Sequence, residues 1–212
     1  MERRAKEIVA ANNSSIRMHV IPGHFATNHS HVNYYVDMTS IKYRFSMAKQ
    51  AGQVLARFFS STPIDTIICM EGTEVIGAFL AEALTEKGLP IVNSGHDICV
   101  ITPELNANNQ MIFRDNMQNV IWDKNVLLLV ASVSTGKTAN RLKECLQYYN
   151  GHLQGIASIF SAIPAVGPIP VKAIFTEKDI PGYQTFLSTE CPQCKEKRKI
   201  DALVNSYGYS KI

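Results

Sequence analysis

The sequence has no run of 18 apolar residues, so a membrane-spanning helix is not expected. Its first residues, Met1-Glu2-Arg3-Arg4-Ala5-Lys6-Glu7, are charged and lead into no apolar core, unlike a secretory signal. Basic residues are not gathered in one place. The net charge is only +3, and the densest basic stretch, residues 195–199, is interrupted by Glu196. That pattern argues against nucleic acid as the main partner. Cysteine is sparse and odd in number, five in 212 residues, which reads as reduced thiols of a cytoplasmic protein. No internal repeat and no long linker divides the chain, so a single domain, residues 1–212, is expected.

What the chain does have is one organising stretch, Val126-Leu127-Leu128-Leu129-Val130-Ala131-Ser132-Val133-Ser134-Thr135-Gly136-Lys137-Thr138. It begins as an unbroken apolar run, the reading of a strand buried on both faces in a parallel sheet. It then breaks into a small, hydroxyl-rich turn. Leu142, Cys145, Leu146 and Tyr149 follow at helical spacing, predicting a helix over residues 139–149. Strand, small turn and helix N-terminus bring free N–H groups and the positive end of the helix dipole onto an anion. Ser134, Thr135, Gly136, Lys137 and Thr138 are therefore the candidate phosphate-binding residues. An ordinary strand-to-helix turn capped by Ser or Thr is the plainer alternative. Gly136-Lys137-Thr138 also matches the end of the P-loop NTPase motif, but Ala131 stands at its leading glycine.

Elsewhere the patterns alternate. Residues 2–11 predict an amphipathic helix closed by Asn12-Asn13-Ser14-Ser15, and residues 16–21 a strand stopped by Pro22-Gly23. A polar loop with three histidines, His24, His29 and His31, leads into a strand. With no acid or cysteine between them, metal binding is not the expected role of these histidines. Residues 40–59 predict a helix, 64–70 a strand and 75–87 a helix, with Glu71-Gly72-Thr73-Glu74 as the turn between the last two. Residues 89–92 and 97–101 read as strands, residues 102–123 as irregular, and residues 155–162 and 171–175 as strands. Cys191-Pro192-Gln193-Cys194 is half a zinc site or a redox pair by spacing. No second Cys-x-x-Cys completes it, so unligated thiols and no metal are expected. Alternating strands and helices predict an α/β fold, a mostly parallel sheet flanked by helices.

Several of these motifs together resemble the type I phosphoribosyltransferases, and orotate phosphoribosyltransferase in particular. That family's phosphoribosyl-diphosphate (PRPP) motif ends in Thr-Gly-x-Ser/Thr, as Thr135-Gly136-Lys137-Thr138 does. Phe25 and Tyr34-Tyr35-Val36-Asp37 are similar to its N-terminal signature, and Cys191-Pro192-Gln193-Cys194-Lys195 to the tail of a subset. The resemblance implies a small N-terminal hood formed by residues 1–40 and the C-terminal tail, over a core of residues 41–176. It implies PRPP or a nucleoside 5′-monophosphate at residues 134–138, pyrophosphate at Glu71, Gly72 and Thr73, and a base near Phe25, Tyr34 and Tyr35. It further implies phosphoribosyl transfer to a pyrimidine base, Mg²⁺ if the chain is catalytic, and a homodimer.

The sequence departs from the family at three places. The two acids that hold the ribose and metal are Ala131 and Ser132 here. The mobile loop, rich in Lys, Arg and His in the family, has only Arg114 and Lys124. The Asp-Arg pair for the base carboxylate is Ser161-Ala162, and no arginine occurs between residues 142 and 197. A non-catalytic relative that binds the nucleotide is therefore the alternative to an enzyme.

Overall fold

The computed structural model describes residues 1–28, 30–88, 90–107 and 110–212. In chain order the elements are β1 (Lys6–Ala10), β2 (Asn13–Ala26), β3 (His31–Asp37), α1 (Thr39–Tyr43), α2 (Phe45–Phe58), β4 (Thr66–Cys69), α3 (Glu74–Thr85) and β5 (Cys99–Ile101). A short hairpin follows, β6 (Glu104–Leu105) and β7 (Met111–Ile112), then β8 (Asn125–Val133), α4 (Lys137–Tyr148), β9 (His152–Ser161), β10 (Ala165–Val166) and β11 (Ile169–Thr176). The chain closes with β12 (Thr185–Phe186), α5 (Pro192–Lys195), β13 (Ala202–Asn205) and β14 (Gly208–Lys211).

The main sheet has the order β10-β11-β9-β8-β4-β5. All its pairings are parallel except β10 with β11, at one edge. The alternation of β8 shows why its sequence is apolar throughout. Val126, Leu128 and Val130 pack with Leu142 and Leu146 of α4, while Leu127, Leu129 and Ala131 pack with residues of α2 and α3. All six are buried, and each Leu contributes about 1.5–3 kcal/mol by burial. Such a strand forms only with a helix layer on each side. No helix of the described residues is long and apolar enough to cross a membrane.

The second sheet has the order β12-β3-β2-β13-β14, with β1 paired to β2. It joins both ends of the chain, since β13 pairs parallel to β2 through Ala202 and Phe25. Ile16, Met18 and Val20 of β2 belong to the same core as α2.

Several local expectations are corrected. Residues 2–11 are not an amphipathic helix. After a single 3-10 turn, Glu2–Arg4, they form β1, antiparallel to β2. Ile8 and Ala10 point inward while Val9 is exposed, a period of two, and the β-branched pair suits the sheet. The Asn12–Ser15 stop shrinks to a turn at residues 11–12, with β2 starting at Asn13. Pro22-Gly23 does not end β2 but bends it, with a register shift between Pro22 and Phe25. Gly23 is required there, because a Cβ would lie 2.5 Å from Asp201 Oδ2. The helix of residues 40–59 is broken at Arg44, which is extended. Residues 90–92 form no strand; residue 89 lies outside the described residues.

Candidate functional site

The turn after β8 ends in a glycine-capped helix N-terminus. Gly136 caps α4 with φ 75°, a left-handed conformation that glycine adopts freely. A Cβ there would also come within 2.9 Å of Val166 Cγ2, so β10 presses against the turn. Being glycine, the cap offers no side-chain acceptor to the first-turn N–H groups. The first turn contains no acid and opens with Lys137. A cation at a helix N-terminus opposes the dipole, unless an anion sits between them.

The second contribution comes from the end of β4. Glu71 has φ 63° and Gly72 φ 78°, two successive left-handed residues. For a non-glycine residue this costs on the order of 1–3 kcal/mol. The bend carries the Glu71 side chain to the 131–132 backbone. Burial pushes its carboxyl above the usual range, opposed by the Ser132 N–H, the Lys42 ammonium and the Ala131 N–H. Its Oε2 is buried with no hydrogen-bond partner. Lys42 is buried and bonded to the backbone carbonyls of Glu71 and Ser206, and burial holds its pKa down.

Both contributions line one cavity of about 240 Å³ at the carboxyl ends of β4 and β8. Ser132 and residues 134–138 form one wall, Glu71 another, and Tyr34, Tyr35, Phe160, Tyr183, Asn205 and Ser206 much of the rest. Glu71 is the one carboxylate and Lys137 the one ammonium among its lining residues.

Similar architectures occur among solved structures. The Mycobacterium tuberculosis orotate phosphoribosyltransferase with inorganic phosphate matches at TM-score 0.53 and 13% identity, over 70% of this chain and 80% of that one. Leishmania donovani UMP synthase matches at TM-score 0.57 and 13% identity, over 84% of this chain and 36% of that one. The Thermoanaerobacter pseudethanolicus adenine phosphoribosyltransferase matches at TM-score 0.50 and 12% identity, over 82% and 96%. No family profile and no curated protein matches the chain. The chain has the type I phosphoribosyltransferase fold.

Within that phosphoribosyltransferase fold the expected site residues separate into groups. Ser134, Thr135, Gly136, Lys137, Thr138, Ser132, Glu71, Tyr34 and Tyr35 come together around the cavity. Ala131 is fully buried and turned into the core. Gly72 is absent from the cavity wall, and Thr73 is buried, its hydroxyl donating to the carbonyls of Met70 at 2.9 Å and Leu129 at 3.1 Å. Phe25 is no base-pocket residue: it is fully buried in the core of the second sheet, against Tyr35. Arg114 is engaged by Glu104 through two hydrogen bonds, at 2.8 and 2.6 Å. Ser161 donates to the Ile163 carbonyl at 2.6 Å. Two acids after β11 are not expected site residues by motif: Asp179 accepts from the Thr176 N–H, closing a capping box, and Glu177 lines an adjoining hollow.

Sequence reasoning missed Phe160, Tyr183, Asn205 and Ser206. The only available signal for the last two was the alternation of Ala202-Leu203-Val204, which marks β13 and its turn. Sequence reasoning also left Cys191 and Cys194 without further ligands. The fold brings them against His24 and His31. His29 lies outside the described residues.

Proposed function

We propose that the chain binds a pyrimidine nucleoside 5′-monophosphate, with its phosphate on residues 134–138. The observation that carries this reading is the shared cavity: the glycine-capped turn with Lys137, Glu71, Tyr34 and Tyr35 line one space. The phosphate accepts from the turn's N–H and hydroxyl groups. Ribose hydroxyls donate to Glu71, which supplies from the end of β4 the carboxylate absent at Ala131 and Ser132. The aromatic residues face the base.

The same arrangement disfavours PRPP. A carboxylate where the family holds pyrophosphate repels it, and one ammonium in the cavity does little to offset that. Mg²⁺ would enter only with a pyrophosphate group, with Glu71 as its carboxylate. The reading is therefore of a nucleotide-binding protein whose transfer chemistry has been given up. Transfer from PRPP to a pyrimidine base is the competing reading, favoured by the intact Thr135-Gly136-Lys137-Thr138 turn.

Calorimetry with uridine and orotidine 5′-monophosphates, alongside pyrophosphate release from PRPP, Mg²⁺ and pyrimidine bases, separates the two. Saturable monophosphate binding without turnover is expected, and pyrophosphate release overturns the non-catalytic reading. Thr135→Ala with Thr138→Ala is expected to weaken monophosphate binding about tenfold, two hydroxyl donors being lost. Unchanged affinity removes the turn from the site.

A further inference from the structure

Four side chains converge that the nucleotide reading does not use. His24 lies in β2, His31 opens β3, Cys191 caps α5 and Cys194 lies within it. One ligand atom from each lies within 4.8 Å of every other. His24 Nε2 is 3.1 Å from His31 Nδ1, 3.5 Å from Cys191 Sγ and 3.6 Å from Cys194 Sγ. His31 Nδ1 is 3.2 Å from Cys194 Sγ. We propose that these four residues bind one structural zinc ion, which fastens α5 to the β2–β3 sheet.

The distances agree with this ion. A tetrahedron with Zn–N of about 2.0–2.1 Å and Zn–S of about 2.3 Å separates its ligand atoms by roughly 3.3–3.8 Å. The contacts of His24 with the two sulfurs, 3.5 and 3.6 Å, lie within that range, and those of His31 with His24 and Cys194, 3.1 and 3.2 Å, are slightly shorter. Hydrogen bonds alone account for the cluster less well. His24 Nδ1 is 2.9 Å from the Arg198 carbonyl oxygen, which can only accept, so the ring proton is on Nδ1. Nε2 is then a bare lone pair, yet it faces three atoms at once, two of them sulfurs. A single cation at the centre satisfies all of them. The Arg198 carbonyl plays the part usual in zinc sites, where a ligand's second ring nitrogen donates to a fixed acceptor and sets the tautomer.

The ligand set also selects the metal and its role. Two imidazoles and two thiols are the borderline-soft donors that zinc prefers over magnesium or calcium. Four protein ligands leave no open position, so the ion is structural. His24 is fully buried and Cys191 likewise, so the ion would sit inside the protein. The neighbourhood is already built to hold these segments together. Asp201 accepts from the His24 N–H at 2.9 Å, and Gln193 donates to the Gly23 carbonyl at 3.2 Å. Spacing in the sequence hides the set, because His31 and Cys194 are 163 residues apart.

The test uses the full chain purified under reducing conditions. Elemental analysis is expected to find about one zinc per chain. Chelation is expected to lower the thermal midpoint by about 10 °C, with recovery on adding zinc. Cobalt loaded into the chelated protein is expected to show the intense visible bands of a tetrahedral site and a sulfur-to-cobalt charge-transfer band. Cys191→Ser with Cys194→Ser, and separately His31→Gln, are expected to lose the metal. Should those variants fail to fold, the cobalt spectrum of the wild-type chain decides alone. Failure of the chelated wild-type chain to take up zinc or cobalt overturns the proposal. So does metal retained by the folded double variant, or a Cys191–Cys194 disulfide in the freshly purified protein.

Discussion

Glu71 carries its carboxyl inward on a left-handed backbone, and two consequences can be measured. Burial raises its pKa, so between the ordinary glutamate value and the raised one the native state holds a proton that the unfolded chain has released. The associated stability is full below the ordinary glutamate range and is lost as pH rises through the folded-state value. Glu71→Gln is therefore expected to gain stability over the wild-type chain progressively with pH, as read by thermal melts across a pH series. Calorimetry on the same variant, at a pH above the folded-state pKa of Glu71, is expected to show weaker monophosphate binding, because a ribose hydroxyl then meets a neutral acceptor in place of a carboxylate. At Gly136, alanine must adopt φ 75° and also meet Val166 at 2.9 Å. Gly136→Ala is expected to cost about 1–3 kcal/mol in urea unfolding and to abolish phosphate binding. Gly136 was legible from its place between a buried strand and a helix. Glu71 was legible as a turn residue only, because its inward direction depends on a backbone conformation that sequence pattern does not encode.

At the scale of elements, legibility followed burial. β8 and β4 were readable because a strand covered on both faces must be apolar at successive positions. β1 was misread as a helix because five residues sample too little of either period, and its pairing with β2 was decided by tertiary contact. The site's far wall was hidden for a related reason: Tyr183, Asn205 and Ser206 come from the tail and have no local motif. The packing of α3 on β4 offers a test of element-level tightness. A Cβ on Gly77 would lie 2.4 Å from Cys69 Sγ. Gly77→Ala is expected to destabilise by about 1–3 kcal/mol despite the better helix propensity of alanine. Adding Cys69→Ala is expected to recover part of that loss, a non-additivity that a double-mutant cycle reads directly.

At the scale of the whole molecule, the parallel sheet and its two helix layers supply a rigid edge, and the second sheet closes over that edge. This second sheet takes strands from both ends of the chain, with β13 between β2 and β14. Deleting residues 201–212 is therefore expected to abolish cooperative unfolding, as followed by near-ultraviolet circular dichroism. It removes β13, β14 and the Asp201 carboxylate that Arg4 and the His24 N–H share. The position of β13 also bears on how the protein is made. His24 and its acceptor Asp201 are 177 residues apart, so the β2 edge at Phe25 stays unpaired while nearly all of the chain is synthesised. A nascent chain stalled before residue 202 exposes that strand edge to other chains, and such stalled or slowly translated molecules are the ones that should recruit chaperones or aggregate.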